Sequence, residues 1–162
     1  MAASSDIQIT LASSAQDIAA VKALFLDYLK FVETYLGQDL SFQGTQKEFA
    51  DFPQTYDGLC LARLNGAPAA ACGIKPLKPG ICELKRLYCI PSARGHGLGL
   101  KVSRAAMHFA KDFGYTEIYL DTDHGLTHAN KIYEALGFKD IDQYYDTPIE
   151  SRFMACSLLK EF

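Results

Sequence analysis

The residues with the clearest capacity for chemistry form the segment Arg94-Gly95-His96-Gly97-Leu98-Gly99. They follow a strand-like run at 82–90, which Pro91 ends because proline has no amide hydrogen for a sheet ladder. Glycines lack a Cβ, so this turn can adopt unusual dihedrals and a ligand can approach its backbone closely. Amides at the start of the following helix, with the Arg94 guanidinium beside them, favour a phosphate or pyrophosphate anion.

The spacing of the glycines separates this segment from two common nucleotide-binding loops. A P-loop NTPase requires Gly-Lys-Ser/Thr at the helix entry, whereas Lys101 is followed here by Val102, which has no hydroxyl to hold magnesium. The dinucleotide fingerprint requires Gly-x-Gly-x-x-Gly after a first strand, whereas this segment reads Gly-x-Gly-x-Gly and comes late in the chain. The sequence therefore disfavours both an NTPase and an NAD-binding protein.

What remains is Arg-x-x-Gly-x-Gly after a strand that ends in Tyr-Cys-Ile-Pro, and this pattern resembles the acetyl-CoA pyrophosphate loop of the GNAT N-acetyltransferase superfamily. Residues 126–138 resemble the family's second cofactor segment, in which an Asn, here Asn130, is followed by a Tyr, here Tyr133, and then by Leu-Gly-Phe. Residues 82–88 and 153–154 are similar to the family's fourth and last strands. The loop, the second segment and their order together carry the resemblance.

This resemblance, which covers roughly residues 59–159, implies the GNAT fold. That fold is of the mixed α/β (α+β) class, with a central splayed β-sheet of about seven strands flanked by about four helices. We expect the whole chain, 1–162, to form one such domain, because no linker or repeat interrupts it. The resemblance also implies acetyl-CoA as co-substrate, bound by Leu87, Tyr88, Cys89, Arg94, Gly95, His96, Gly97, Leu98, Gly99, Asn130 and Tyr133.

The pantetheine arm of coenzyme A carries two amides and could bind like an added strand. If the strand at 83–89 splays from the one at 115–121, as in the family, backbone groups of Leu87 and Cys89 become free to bind it. The alternative is ordinary pairing between the two strands, which would leave no space between them for the pantetheine arm.

Two residues are candidates for proton transfer during acetylation of an amine. An alkyl ammonium with a pKa of about 10.4 must lose a proton before its nitrogen can attack a thioester. Glu83 lies eleven residues before Arg94, where many family members carry a catalytic glutamate, and could accept that proton directly or through a water. Tyr133 could donate a proton or a hydrogen bond to the departing thiolate. The alternatives are an ion pair of Glu83 with Lys85 or Arg86, substrate binding alone by Glu83, and core packing of Tyr133.

The acceptor is the least defined part of the prediction. In the family, the loop after the first helix lies over the acceptor site, which makes Asp39, Ser41 and Phe42 candidate substrate contacts; a solvated connector is the alternative. Asp121 and Asp123, at the end of the strand at 115–121, could reach a substrate amine or cap the next helix. Acidic Asp39 and Glu83 favour a cationic small-molecule amine, acetylated directly in a ternary complex. A protein lysine or N-terminal amine, or an acyl-CoA-binding module without turnover, are the alternatives.

The composition limits the other classes of partner. The chain has 162 residues, 49% of them hydrophobic, which suffices to bury a core. Its net charge of −3 argues against nucleic acid and membrane surfaces as partners, and no apolar run reaches membrane-spanning length. The resemblance allows a homodimer through the last strands.

Cysteines and histidines give no sign of a disulfide framework or a metal site. The five cysteines are dispersed and odd in number, as expected for reduced thiols in the cytoplasm, with the nucleus as an alternative compartment. His124 and His128 have a spacing of four residues, but no further ligand cluster accompanies them. We therefore expect no metal.

Local patterns predict the elements around the site. The first helix is capped by Ser14 and closed by Gly37, and Thr45 with Glu48 forms a capping-box pattern for a short helix at about 46–52. The other predicted elements are a strand at 7–11, a hairpin of 59–64 and 67–75 around Asn65-Gly66, a helix with the apolar stripe Leu98, Val102, Ala105, Phe109 and Phe113 before Gly114, a strand at 115–121, and a final antiparallel pair at 139–144 and 152–159.

Overall fold

The computed structural model describes residues 5–37 and 45–162 of the chain. Within these ranges the elements are β1 (Ile7–Leu11), α1 (Ala15–Leu36), α2 (Thr45–Ala50), β2 (Gly58–Leu64), β3 (Ala67–Lys78), β4 (Ile81–Cys89), α3 (Leu98–Asp112), β5 (Glu117–Thr122), α4 (Thr127–Ala135), β6 (Lys139–Asp140) and β7 (Arg152–Ser157). A short 3₁₀ turn at Pro91–Ala93 lies between β4 and α3. The predicted mixed α/β fold is confirmed.

All the strands join one seven-stranded sheet with the order β1-β2-β3-β4-β5-β7-β6. Neighbouring strands are antiparallel except β4 and β5, which are parallel and are connected through α3. These two strands pair only over residues 81–83 and 117–119. They therefore separate toward their carboxyl ends, which produces the splay that the resemblance implies.

Local signals in the first half of the chain work as the sequence predicts. The Ser14 hydroxyl accepts a hydrogen bond from the amide of Asp17 at 3.0 Å and so caps α1. Gly37, with a φ of +66°, ends that helix in the left-handed conformation that glycine tolerates best. Asn65 and Gly66 both have positive φ, +52° and +86°, as a tight hairpin turn between β2 and β3 requires.

The two faces of the sheet pack against different helices. On one face, fully buried Phe25 of α1 contacts the rings of Phe52 and Tyr56, with centroid distances of 5.9 and 5.5 Å. Burying a side chain of this kind stabilises the fold by about 1.5–3 kcal/mol. The other face is covered by α3, whose buried residues are Leu98, Val102, Ser103, Ala106, Met107 and Ala110.

The predicted stripe of α3 is wrong in its second half. Ala105 and Phe109 are only half-buried, and Phe113 is 44% exposed. The sheet is contacted instead by small residues such as Ala106 and Ala110, which allow the helix backbone to approach the strands closely. The spacing of apolar residues in the sequence had predicted that Phe109 and Phe113 are buried, but they lie at the edge of the buried face.

Two further predictions differ from the structure. The short helix predicted at about 46–52 is α2, which begins at Thr45 and ends at Ala50, and the Glu48 carboxylate binds Arg86. The strand predicted at 139–144 is shortened to β6, and only the amide of Ile141 after it still donates a backbone hydrogen bond to β7, to the carbonyl of Phe153 at 2.9 Å, among the described residues 141–144. In the part of the chain that the structure describes, no helix has the length and hydrophobicity needed to span a bilayer.

Candidate active site

A cavity of about 980 Å³ opens where β4 and β5 separate. Its wall is formed by α1, the second half of β4, the loop at 94–100, the end of β5 and α4. This volume lies in the range of small-molecule sites. The splay of the sheet thus creates the space for a ligand.

The glycine-rich loop forms one end of this cavity. Gly95 and Gly97 have φ values of +95° and +70°, in the region that residues with a Cβ rarely adopt. Gly97 is the N-cap of α3, so amides of the first helical turn lack intrahelical partners and can bind an anion. Exposed Arg94 lines the same end. A Cβ on Gly99 would lie 2.8 Å from Cδ1 of Ile132, so this glycine also lets α3 and α4 approach each other.

The edge of β4 forms a second part of the wall. Leu87, Tyr88 and Cys89 line the cavity. Because β5 does not pair with β4 beyond Glu83, this edge of β4 is open toward the cavity. An extended ligand that carries amides can add to such an edge as a strand would.

Tyr133 of α4 lines the cavity although it is only 7% exposed. Its ring packs against Phe138, with a centroid distance of 5.9 Å. Burial raises the pKa of Tyr133 far above its ordinary value of 10.0, and Tyr28 and Asp121 act in the same direction. The phenol therefore stays protonated at neutral pH and can donate a proton or a hydrogen bond into the cavity.

Two of the predicted cofactor residues do not belong to the cavity wall. Buried Asn130 donates hydrogen bonds from Nδ2 to the carbonyls of Asp123, at 3.0 Å, and His124, at 3.3 Å. These bonds fix the turn between β5 and α4. The backbone carbonyl of His96 accepts a hydrogen bond from Lys101 Nζ at 3.3 Å. Both residues thus shape the segments that line the cavity.

A hydrogen-bonded cluster joins β4 and β5 to the segment before β7. Glu83, which is 5% exposed, accepts a hydrogen bond from the Tyr144 hydroxyl at 2.6 Å, and Asp121 accepts one from the Tyr145 hydroxyl at 2.7 Å. Lys85 Nζ lies 3.8 Å from Glu83 Oε2 and 3.5 Å from Asp121 Oδ1. Lys85 and Asp121 line the cavity, whereas Glu83 does not.

The tyrosines of this cluster are held as hydrogen-bond donors. Burial raises the pKa of Tyr144 far above 10.0, and the charge of Glu83 raises it further. Burial and then the charge of Asp121 raise the pKa of Tyr145 in the same way. Both hydroxyls therefore keep their protons at neutral pH and can donate the hydrogen bonds to Glu83 and Asp121.

A second buried ion pair supports the backbone beside the cavity. Arg86 has a φ of +61°, and the pairing register between β3 and β4 shifts nearby. Its Nη2 lies 2.9 Å from Glu48 Oε1, and its guanidinium lies 5.9 Å from the ring centroid of Tyr28. Tyr56 donates a hydrogen bond to the other oxygen of Glu48 at 2.7 Å. A Cβ on Gly73 would lie 2.5 Å from the Tyr56 ring, so this glycine makes room for the network.

Aromatic side chains of α1 form the wall opposite β5. Tyr28, Phe31 and Tyr35 all line the cavity. The Tyr35 hydroxyl donates a hydrogen bond to Asp123 Oδ1 at 3.4 Å, and the amide of Gly125 donates one to the same oxygen at 2.7 Å. A Cβ on Gly125 would lie 1.8 Å from the Tyr35 oxygen, so only glycine leaves room for this phenol. The end of α1 thus contacts the β5–α4 turn across the cavity.

Comparison with known proteins identifies the family. Residues 22–138 match the acetyltransferase (GNAT) family. The chain belongs to this family. It is 34% identical over 151 residues to an uncharacterized N-acetyltransferase of Schizosaccharomyces pombe, with 90% of each chain covered. The GNAT resemblance and the prediction of a GNAT-type acyltransferase are confirmed.

Solved GNAT structures share the fold. An acetyltransferase of the GNAT family from Staphylococcus aureus superposes with a TM-score of 0.75 at 19% identity, covering 94% of this chain and 99% of that one. The Salmonella typhimurium protein yncA, solved with its cofactor acetyl-CoA, gives a TM-score of 0.68 at 16% identity, covering 94% of both chains.

Most of the site residues predicted from the GNAT resemblance meet at one cavity. Those in its wall are Leu87, Tyr88, Cys89, Arg94, Gly95, Gly97, Leu98, Gly99, Asp121 and Tyr133. Those outside the wall are Glu83, His96 and Asn130. Asp39, Ser41 and Phe42 lie outside the described residues.

Sequence reasoning missed several side chains in and beside this cavity. Tyr28, Phe31 and Tyr35 have the i, i+3, i+7 spacing of one helix face, a signal that was available in the sequence. Tyr144 and Tyr145 had no such signal, because they reach the carboxylates from an irregular segment. Their contacts follow only from the folded chain.

Proposed function

We propose that this GNAT protein is an acetyl-CoA-dependent N-acetyltransferase that acetylates a primary amine of a small molecule by direct transfer in a ternary complex. The observation that carries the proposal is a single cavity lined by the left-handed glycine loop, by the protonated phenol of Tyr133 and by Asp121. An anion-binding end, a proton donor and a carboxylate are the groups that this transfer requires.

The donor side of the cavity fits acetyl-CoA. The loop amides around Gly97, with Arg94, would bind the pyrophosphate, and the open edge of β4 at Leu87 and Cys89 would bind the pantetheine arm. Acetyl-CoA supplies a thioester whose carbonyl carbon accepts the amine nitrogen. As the carbon–nitrogen bond forms, the carbon–sulfur bond breaks, and Tyr133 would give its proton to the departing sulfur. The second proton that the nitrogen releases as the amide forms would return to the Tyr133 oxygen.

The acceptor side must remove one proton from the ammonium of the acceptor. Asp121 lines the cavity and would hold that ammonium. Glu83, which shares Lys85 with Asp121, is the proposed base and would receive the proton through a water, because Tyr144 already occupies one of its oxygens. The contact between Tyr35 and Asp123 across the cavity favours a small acceptor over a protein chain.

The test is the release of free thiol from acetyl-CoA by the purified protein with a panel of amines, polyamines, amino acids, aminoglycosides and peptides. We expect release that depends on a small amine and a product that has gained one acetyl group by mass spectrometry. A reaction without acceptor measures hydrolysis and is the control. Tight coenzyme A binding without acceptor-dependent release from any compound would instead support an acyl-CoA-binding module, and release with peptides alone would indicate a protein acceptor.

A further inference from the structure

We propose that Asp123 forms a second ammonium-binding subsite at the acceptor end of the cavity, so that the preferred acceptors are short diamines. This inference rests on the proposed function, because it names the class of amine used at the same site. It concerns the second amino group of the acceptor, which is not acetylated.

The charge of Asp123 is not matched by a protein cation. Its Oδ1 accepts hydrogen bonds from the amide of Gly125 and the hydroxyl of Tyr35, which are both uncharged donors. Asp121, the other carboxylate of the wall at this end, already has Lys85 at 3.5 Å. Within residues 5–37 and 45–162, no Lys, Arg or His forms an ion pair with Asp123. A cationic ligand would supply the missing partner.

The surroundings of Asp123 suit an alkyl ammonium. Phe31 and Tyr35 are 41% and 48% exposed, and both line the cavity from α1. Exposed aromatic rings beside a carboxylate bind a cation through their faces and an alkyl chain through apolar contact. Burial is the main cause of the raised pKa of Tyr28; the charge of Arg86 lowers this pKa, and the charges of Asp121 and Asp123 raise it.

The spacing of the two carboxylates sets the length of the acceptor. Asp121 and Asp123 are two residues apart and both line the cavity. Along an extended backbone this separates their Cα atoms by about 6.6 Å. A chain of four or five carbons between two amino groups spans a comparable distance. One ammonium would lie beside Asp121 and react, while the other would bind Asp123.

The same end of the cavity disfavours an acceptor that carries a carboxylate. The two cations that β4 contributes to the wall are already paired, Lys85 with Asp121 and Arg86 with Glu48. A carboxylate in this position would therefore meet the charge of Asp123 without a free cation from β4. We therefore expect a carboxylate at this position, beside Asp123, to bind less well than an ammonium.

The experiment compares three acceptors that differ only in the distal group: pentane-1,5-diamine, pentylamine and 5-aminopentanoate. We expect kcat/KM to decrease in that order, with at least a tenfold difference between the first and the last. Asp123→Asn should reduce the preference for the diamine over pentylamine by about tenfold, since it removes one charge interaction of roughly 1.4 kcal/mol. An asparagine Oδ1 can still accept the hydrogen bonds from Gly125 and Tyr35, so the fold of the turn is kept.

Asp112→Asn is the matched control, because Asp112 is an exposed carboxylate at the end of α3, outside the cavity wall. It should leave the ratio of the two amines unchanged. Equal kcat/KM values for the diamine and pentylamine would overturn the subsite and leave the proposed function intact. A preference for the diamine that Asp123→Asn does not reduce would do the same.

If none of the three acceptors reacts, calorimetry can measure whether pentane-1,5-diamine binds to the protein saturated with coenzyme A. Diamine binding that Asp123→Asn weakens would then support the subsite while the proposed acetyl transfer fails. Absence of both turnover and binding would overturn both proposals.

Discussion

At the loop end of the cavity, the groups that can hold an anion come from the short segment Arg94 to Gly99, and apart from the Arg94 side chain they are backbone amides. At the acceptor end, the groups come from side chains of α1, β4 and β5. A further segment, at 141–151, adds two tyrosine hydroxyls to the carboxylates of the strands. The loop end is built from residues that are neighbours in the sequence, mainly through their backbone. The other end is built from side chains of residues that are far apart in the sequence.

This difference predicts that the two ends of the cavity can be altered separately. Left-handed glycines at 95 and 97 fix amides whose direction hardly depends on neighbouring side chains. A change at Tyr35 or Asp123 would alter the acceptor end without disturbing these amides, because the contacts of those two residues lie at the other wall. The variants below test whether the two ends are separable.

The largest effect should come from the backbone end. Gly97→Val places a β-branched residue at a φ of +70°, which costs roughly 1–3 kcal/mol of strain or forces the loop amides to move. We expect the affinity for coenzyme A, measured by calorimetry, to fall by at least about 100-fold.

Gly66→Val is the matched control for this variant. Gly66 also has a left-handed φ, +86°, and open space around its Cβ position, but it lies in the β2–β3 turn, outside the cavity wall. It should lose comparable thermal stability while binding coenzyme A normally. If both variants bind alike, the loop is not the anion site.

Tyr133→Phe tests the phenol that α4 contributes to the cavity wall. We expect kcat to fall by about 100-fold with little change in coenzyme A affinity, because the phenol is the proposed proton donor to sulfur. Tyr115→Phe is the control, since this tyrosine bonds to Asp57 and does not line the cavity. Wild-type turnover in Tyr133→Phe would make Tyr133 a packing residue.

The sequence predicted the backbone end well and the side-chain end poorly, and the reason is physical. Glycines 95 and 97 dictate a local conformation, so the loop could be recognised from the spacing of its residues. Glu83 was singled out by the GNAT resemblance, eleven residues before Arg94, but its partner Tyr144 lies 61 residues away in the chain. No periodicity connects two such positions. The ion pair of Arg86 with Glu48, 38 residues apart, was missed for the same reason.

The register of α3 shows the same limit within a single helix. Its beginning and its end were predicted from Leu98 and Gly114, which are local signals. Which face it buries depends on the strands beneath it, where Ala106 and Ala110 fit and Phe113 does not. The choice between adjacent helix faces is therefore made by tertiary packing.

Glu83→Gln tests the side-chain end. If Glu83 is the base, kcat should fall by about tenfold, less than a general base usually contributes, because Asp121 remains in the cavity as a second carboxylate. Raising the pH should restore part of the loss. Tyr144→Phe removes the hydrogen bond to Glu83 and keeps the carboxylate, so it should have a smaller effect. A change confined to the KM of the acceptor would assign Glu83 to binding.

The smallest effect concerns stability at alkaline pH and requires no ligand. The pKa of Tyr133 is raised by burial in the folded protein, whereas in the unfolded chain it is about 10. Above pH 10 the unfolded chain loses this proton and the folded protein keeps it, so the stability that depends on the neutral phenol is complete below pH 10 and decreases as the pH rises. Each tyrosine whose pKa is raised in this way lowers the free energy of unfolding by at most about 1.4 kcal/mol per pH unit in this range.

Urea unfolding of the wild type and Tyr133→Phe between pH 8 and pH 11 would measure this slope, with the pH 8 values serving as the reference for any packing difference. Tyr144→Phe, measured in parallel, reports on the acceptor end, because burial and then the charge of Glu83 raise the pKa of Tyr144 as well. We expect both variants to lose less stability than the wild type over this range. If the free energies of unfolding of the wild type and the variants run parallel to pH 11, these phenols ionise as freely in the folded protein as in the unfolded chain, and burial does not raise the pKa of either tyrosine.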